Sequence, residues 1–305
     1  MQCCFLIGKP HPTHLNLLKS IPSADFKSGT GGDPMFQSLS LSPDGNRLFV
    51  ADRFNKAINL LDMGTLNISK VYSSESRIIA LSTLSYNPRR IAVLEGNESE
   101  DNLWHLQLLI LEENDTQYHH LENFPINESV RNRWMYGSVL ELQSGAIATC
   151  TTNMKNIHVI DTKTGSEKSL SFVNQGLETF RSMSLVKQLS REFVACSFIE
   201  PNFIEIYFIN QSVLESISLI HLDFPPLRSL WIPSIEKLLL FKHSGSNEFY
   251  SIDISCTGDY IHKIHYSKKI HAHACCLLQN DQPEPSTKLA IYDGESHSLL
   301  FLELI

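Results

Sequence analysis

A short apolar strand pattern that ends in one polar, mostly acidic residue recurs six times along the 305-residue chain. The copies read AINLLD, QLLILE, IHVID, EIYFIN, FYSID and SLLFLE, and they end at Asp62, Glu112, Asp161, Asn210, Asp253 and Glu303. Successive end positions are 50, 49, 49, 43 and 50 residues apart. A period of this length is typical of solenoids and propellers rather than of a single irregular core.

The same supporting strands surround each copy. In the first copy, FQSLSLSPDGN predicts a strand and a turn, RLFVADRF a second strand, AINLLD a third and NISKVYS a fourth. Every segment is short, apolar or alternating and bounded by turn residues, which is typical of strands and not of helices. The pattern therefore predicts an all-β chain in which residues 1–305 form a single β-propeller with six visible four-stranded blades. A further strand-like segment, QCCFLI, leaves a seventh blade open.

The last module lacks one strand. It offers HACCLLQ, STKLAIYDG and SLLFLELI, whereas THLNLLKSIP stands alone before the first module. An uncovered sheet edge invites aggregation. We therefore predict that residues 15–21 pair with residues 299–304 and close the ring. Residues 23–34, which are rich in glycine and polar side chains, are expected to form a flexible connection.

Three segments, SPDGNRLFVADRFNKAINLLDMGTL, VIDTKTG and SIDISCTG, resemble the WD40-repeat family. In that family a strand ends in Trp-Asp before a turn that often closes with Thr-Gly. Asp62, Asp161 and Asp253 occupy the Asp position here, but the preceding residue is never Trp. The resemblance implies a divergent WD40-like propeller without identifying a subfamily. ADRFNKAINLLD is also similar to blades of bacterial lactonase-type propellers, so an enzyme is an open alternative.

The strand-end acids have a structural interpretation. A carboxylate just past a strand accepts backbone N–H groups of the following turn and fixes that turn. We therefore predict that Asp62, Glu112, Asp161, Asn210, Asp253 and Glu303 are turn residues and not catalytic groups.

The charge, the apolar runs and the cysteine content limit the classes of partner and the cellular compartment. The net charge is −8, with 25 Lys and Arg against 33 Asp and Glu, which disfavours nucleic acid as the main ligand. No apolar run approaches the roughly 18 residues that a membrane helix needs, and the first residues lack the basic and small-residue features of a signal peptide. Seven cysteines without framework spacing indicate a reducing compartment, so we expect the cytoplasm or the nucleus.

One cluster contains residue types that commonly bind metal ions. His271, His273 and Cys275 alternate along one strand and would share a side of it, as zinc ligands could. No CxxC motif accompanies them, and buried free cysteines that act as small hydrophobic residues are the favoured interpretation. We predict no metal, no cofactor and no catalytic residue.

A set of arginines and aromatic residues stands at or near the start of the first strands of three successive blades. These residue types are enriched in interface hot spots. The set, which we predict to bind a partner, is Arg131, Arg133, Trp134, Tyr136, Arg181, Arg228 and Trp231. The alternative is that the arginines pair with acids of adjacent turns.

The favoured function is a non-enzymatic scaffold or adaptor subunit that binds other proteins in a complex. The alternatives are an enzyme of lactonase type and a substrate receptor of a cullin ubiquitin ligase. A lactonase-type enzyme needs a metal in the channel, yet the predicted first strands supply Glu141 as their only acid.

Overall fold

The computed structural model describes residues 12–26, 32–101, 103–128, 130–131, 135–172, 179–188, 191–210, 213–243, 245–254, 261–278 and 287–305. Within them the chain forms 25 strands and one short 3-10 helix over Ser23–Phe26. The strands are β1 (Leu15–Pro22), β2 (Phe36–Leu41), β3 (Arg47–Asp52), β4 (Ala57–Asp62), β5 (Ile68–Ser73), β6 (Arg77–Thr83), β7 (Arg90–Glu98), β8 (Leu103–Asn114), β9 (Gln117–Pro125), β10 (Val130–Arg131), β11 (Gly137–Glu141), β12 (Ile147–Thr151), β13 (Asn156–Asp161), β14 (Ser166–Ser171), β15 (Thr179–Gln188), β16 (Arg191–Ile199), β17 (Phe203–Asn210), β18 (Val213–His221), β19 (Pro226–Ile232), β20 (Lys237–Lys242), β21 (Ser246–Ile252), β22 (Ile261–Ile270), β23 (Ala272–Leu277), β24 (Thr287–Asp293) and β25 (Ser298–Leu304).

These strands make six antiparallel sheets arranged as the blades of a β-propeller. Blade A contains β2–β5, blade B β6–β10, blade C β11–β14, blade D β15–β18, blade E β19–β22, and blade F β23–β25 together with β1. The six-bladed all-β fold that the repeat period predicts is confirmed. QCCFLI, the segment that leaves a seventh blade open, lies outside the described residues. No helix in the described part is long and apolar enough to cross a membrane.

Pairing of β1 with β25 closes the ring. The two strands run antiparallel, with Leu15 opposite Leu304 and Ile21 opposite Leu299. This confirms the predicted pairing. The contact continues past the strand, where the Thr13 N–H donates to the Ile305 carbonyl at 2.7 Å. Blade F therefore takes its outer strand from the other end of the sequence.

Apolar side chains fill the space between neighbouring blades. Between blades A and B, for example, Phe49 and Ile58 of one sheet pack with Val93 and Leu109 of the other. The second and third strands are buried on both faces for this reason, and the ring is held together by many such layers rather than by one central core. Blade B also has an additional short strand, β10, which pairs with β8 and has no counterpart in the sequence-based prediction.

The strand-end acids are seen in two settings. Asp62 accepts the N–H groups of Gly64 and Thr65 and the Thr65 hydroxyl, and hydrogen bonds from Thr65 lower the pKa of Asp62. Asp161 accepts the Lys163 N–H at 2.9 Å. Two other acids bind a basic side chain of the preceding strand instead, as Glu112 binds Arg90 at 2.9 Å and Asp253 binds Lys237 at 2.5 Å. The half-buried Glu303 lies opposite Lys288, and the Asn210 side chain is outside the described part.

Candidate functional site: the upper mouth of the channel

The innermost strands β2, β6, β11, β15, β19 and β23 line a central channel, and neighbouring members of this ring contact one another. The Leu81 N–H donates to Ser38 Oγ, and two positions further along both strands the Thr83 N–H donates to Ser40 Oγ. Neighbouring inner strands therefore run parallel to each other. All six inner strands therefore begin on the same face of the disc, which we call the upper face. The loops between second and third strands also lie on this face.

A cavity of about 260 Å³ occupies the channel. Its wall is rich in serine, namely Ser38, Ser40, Ser82, Ser138, Ser182, Ser184 and Ser229. These hydroxyls bind neighbouring blades, as when Ser184 Oγ donates to the Ser229 carbonyl at 2.7 Å and Ser138 Oγ accepts the Met183 N–H at 2.9 Å. The serines thus connect the blades and keep the channel polar.

Arg228 lies at the upper end of this cavity and connects four blades. Its guanidinium donates to the carbonyl oxygens of His273 at 2.7 Å, Gln37 at 3.0 Å and Gly137 at 3.4 Å. These carbonyls belong to blades F, A and C, whereas Arg228 belongs to blade E. The side chain is buried, and this burial lowers its pKa.

Tyr136 packs against two arginines. The guanidinium carbon of Arg181 lies 5.0 Å from the ring centroid and that of Arg228 lies 5.5 Å away, within the range of cation–π contacts. The carbonyl of the preceding Met135 accepts hydrogen bonds from Gln37 Nε2 and from Arg53 Nη1. Because both donors come from blade A, they hold this segment of blade C over the channel.

Three histidines complete what we call the mouth cluster, which consists of Tyr136, Arg181, Arg228, His243, His271 and His273. The His271 and His273 ring centroids are 4.4 Å apart, His243 and His271 are 6.2 Å apart, and the His273 ring stacks on Tyr136 at 6.4 Å. Gly294 permits this arrangement, because a Cβ atom there would collide with the His273 ring.

The environment keeps two of these imidazoles neutral. Burial, followed by the nearness of His271 and Arg228, lowers the pKa of His273 to about 4. Burial and the nearness of Arg181 and His271 also lower the pKa of His243. Both rings are therefore neutral near pH 7, so each has one nitrogen that can accept a hydrogen bond.

Hydrogen-bonding capacity remains unused in the mouth cluster. Arg181 Nε and His271 Nε2 are buried and have no hydrogen-bond partner within the described residues. In the same part of the chain, neither Arg181 nor Arg228 has a carboxylate at ion-pair distance. Asp293, whose charge offsets part of the lowering of the His273 pKa, already accepts the N–H groups of His271, Glu295 and Ser296. Glu200 acts on the half-buried Arg181 from beyond ion-pair distance. Arginines that are buried or half-buried without an ion-pair partner favour an anionic ligand.

The structure brings together some of the predicted partner-binding residues. Tyr136, Arg181 and Arg228 meet in the mouth cluster, and among the residues that the structure describes neither arginine pairs with a turn acid, which was the alternative. Arg131 is exposed on β10. Arg133 and Trp134 lie outside the described residues.

Trp231 requires a correction. Its side chain is only 5% exposed and packs in the core between blades D and E, so no partner can contact it on the surface. Trp231 follows Arg228 by three positions, and an odd spacing on a strand directs two side chains to opposite faces. The sequence-based prediction missed His243, a member of the mouth cluster, and Arg53, which binds the Met135 carbonyl beside it.

The His and Cys residues do not assemble as metal ligands. Within the described residues, no group of three or more His, Cys, Asp or Glu side chains is placed to hold a metal ion. Cys275 lines the channel cavity, and burial raises the pKa of its thiol to about 12. Cys150, Cys196, Cys275 and Cys276 are free thiols.

The fold and the site define a six-bladed β-propeller with a cationic, histidine-rich channel mouth. Solved propellers are similar to it. The PQQ-bound form of aldose sugar dehydrogenase from Streptomyces coelicolor matches with a TM-score of 0.68 and 10% identity, over 98% of this chain and all of that one. A protein of Thermus thermophilus that is described as an oxidoreductase (glucose dehydrogenase) matches with a TM-score of 0.60 and 11% identity, over 94% of this chain and 99% of that one. The Cps50 (Swd1) propeller domain of Myceliophteria thermophila matches with a TM-score of 0.60 and 12% identity, over 90% of this chain and 85% of that one.

No family model matches the chain, and no curated protein matches it. At these identities the similar structures show the fold alone, and the WD40 resemblance has the support of a single propeller among those named, Swd1. The expectation that the chain is not an enzyme is wrong as an inference from this fold. One similar propeller is an aldose sugar dehydrogenase and another is described as a glucose dehydrogenase, so the architecture gives no ground for excluding catalysis.

Proposed function

We propose that this chain is a propeller enzyme of the oxidoreductase type, and that the mouth cluster is its active site. The proposal rests on one observation. The guanidinium of Arg181 is partly buried, and its Nε has no hydrogen-bond partner in the described residues. It lies beside the neutral imidazole of His243 and stacks on Tyr136. A site of this kind binds an anionic ligand next to groups that can accept a proton.

The cofactor of the Streptomyces aldose sugar dehydrogenase, PQQ, offers a specific candidate. PQQ is a flat quinone that carries carboxylate groups. The mouth cluster has the matching chemistry, with the Arg181 and Arg228 charges for carboxylates and the Tyr136 ring for a flat surface. When bound, PQQ would supply a two-electron acceptor for the oxidation of an alcohol.

Each residue then has a defined task. Arg181 would bind a cofactor carboxylate through its free Nε, while Arg228, whose guanidinium already binds three carbonyls, would contribute charge and hold the blades. His271 would accept the proton of the substrate hydroxyl, and His273, whose ring lies 4.4 Å away and whose pKa burial lowers to about 4, would stay neutral and hold the His271 ring in place. Tyr136 would shield these groups from water.

Purified protein should be tested for PQQ binding by titration calorimetry and for reduction of a dye with a panel of aldoses. Arg181→Ala is expected to weaken PQQ binding tenfold or more, because a hydrogen bond to a charged group contributes about 1.5–3 kcal/mol. His273→Gln is expected to reduce turnover and to leave binding nearly unchanged.

Arg89→Ala is a matched control, since Arg89 is exposed on the opposite face and its guanidinium donates to the Glu113 carbonyl. The proposal is refuted if the wild-type protein neither binds PQQ nor reduces the dye. Equal binding by Arg181→Ala and Arg89→Ala would remove the mouth cluster as the site. An interaction with other proteins, which the sequence favoured, stays a prediction.

A further inference from the structure

A groove of about 680 Å³ lies between blades C and D on the lower face, where the inner strands end. Its apolar part consists of Leu142 and Val194, which are buried, and of Val159, Phe208 and Ile209, which are half-buried. This volume is within the roughly 300–1,000 Å³ of sites that enclose a ligand. Half-buried apolar side chains along one groove leave surface for a partner to cover.

The rim of the groove is basic. Lys163, Lys168 and Arg191 line it and are exposed, whereas the whole chain carries a net charge of −8. The two acids of the lining are both engaged within the chain. Asp161 accepts the Lys163 N–H at 2.9 Å, and Glu192 Oε2 accepts the Gln143 N–H at 2.8 Å. Three basic side chains against two acids leave the lining with one excess positive charge, so the groove favours negative charge although the protein as a whole is acidic.

Glu192 adds a second, independent feature. Its other oxygen, Oε1, is buried and has no hydrogen-bond partner within the described residues. A buried acceptor without a donor destabilises the fold, and a ligand that brings an N–H group would satisfy it. A peptide backbone has such a donor at nearly every residue.

We propose that this groove binds a short peptide segment with acidic and apolar side chains from a partner protein. Its apolar side chains would pack on Val159, Val194 and Phe208 and one backbone N–H would bond Glu192 Oε1. Its carboxylates would pair with Lys163 and Arg191. The groove is on the face opposite the mouth cluster, so this function is independent of catalysis at the mouth.

The test uses a phage-displayed library of dodecapeptides selected on the full chain, followed by fluorescence anisotropy with each enriched peptide. The enriched peptides should combine Asp or Glu with Leu, Ile, Phe or Trp. Their affinity should fall tenfold or more for the double variant Lys163→Glu, Arg191→Glu, and it should fall as salt rises.

The double variant Lys19→Glu, Lys70→Glu has the same change in charge on exposed positions of blades F and A and should bind like the wild type. Phe208→Ser tests the apolar contact without a charge change, and thermal melting of every variant reports folding. The proposal is overturned if no peptide is enriched, if the enriched peptides bind both double variants equally, or if they are basic or lack apolar residues.

Discussion

Removal of residues 1–22 should destabilise the whole ring, because β1 is the outer strand of blade F. Leu15 and Ile21 are 4% and 6% exposed. Full burial of an aliphatic side chain contributes about 1.5–3 kcal/mol, so these two contribute about 3–6 kcal/mol. The backbone pairs with β25 are lost as well, at about 1 kcal/mol per hydrogen bond. The loss is comparable with the roughly 5–15 kcal/mol that stabilises a typical protein.

The assay is thermal unfolding followed by circular dichroism. For domains of about 150–250 residues, 1 kcal/mol corresponds to about 2–4 °C, so the midpoint should fall on the order of 10 °C or more. Deletion of residues 1–11, which leaves β1 intact, serves as the control and should unfold close to the wild-type temperature. If the deletion of residues 1–22 unfolds at the wild-type temperature, β1 does not close the ring in solution.

Two further predictions concern buried polar groups. His158 is buried between Glu128 at 2.9 Å and Glu167 at 2.5 Å, and although burial opposes the charge, these hydrogen bonds raise the pKa of His158. A raised pKa stabilises the fold below the unfolded value of about 6.5, and the contribution is lost as the pH rises through the folded value. Urea unfolding should therefore show a stability difference between wild type and His158→Gln that is largest below about pH 6.5 and shrinks above it; a difference independent of pH contradicts this. Arg228→Met should lower the free energy of unfolding by about 3 kcal/mol or more, because three carbonyls lose a donor at about 1–3 kcal/mol each; a loss below about 1 kcal/mol would show that water replaces the guanidinium.

The blade order and the ring closure were predictable because they depend on local patterns. A strand that alternates or is wholly apolar is visible in the sequence, and a last module with three strands requires a fourth from elsewhere. The register of Leu15 with Leu304, which includes a shift between Leu17 and Lys19, was not predicted. The strand β10 was not predictable, since Val130 and Arg131 are too short a segment to show any period.

The mouth cluster was only partly predictable. Tyr136, Arg181 and Arg228 stand at or near the starts of inner strands, and a propeller places all such starts around one ring. Arg53 and His243 follow second strands instead, and their distance from the channel depends on how far each loop bends inward. The loop after each second strand lies on the same face as the start of each first strand. A basic residue directly after a second strand is therefore a sequence signal for this end of the channel.

The closure of blade F also constrains how the chain folds as it is made. Leu15 and Leu304 pair although they are 289 positions apart in the sequence. During synthesis β1 must remain without its partner until every other blade has been translated. Contacts between such distant segments are slow to form, and an unpaired strand is prone to aggregate in the meantime. Of the strands in the ring, β1 is therefore synthesised first and paired last.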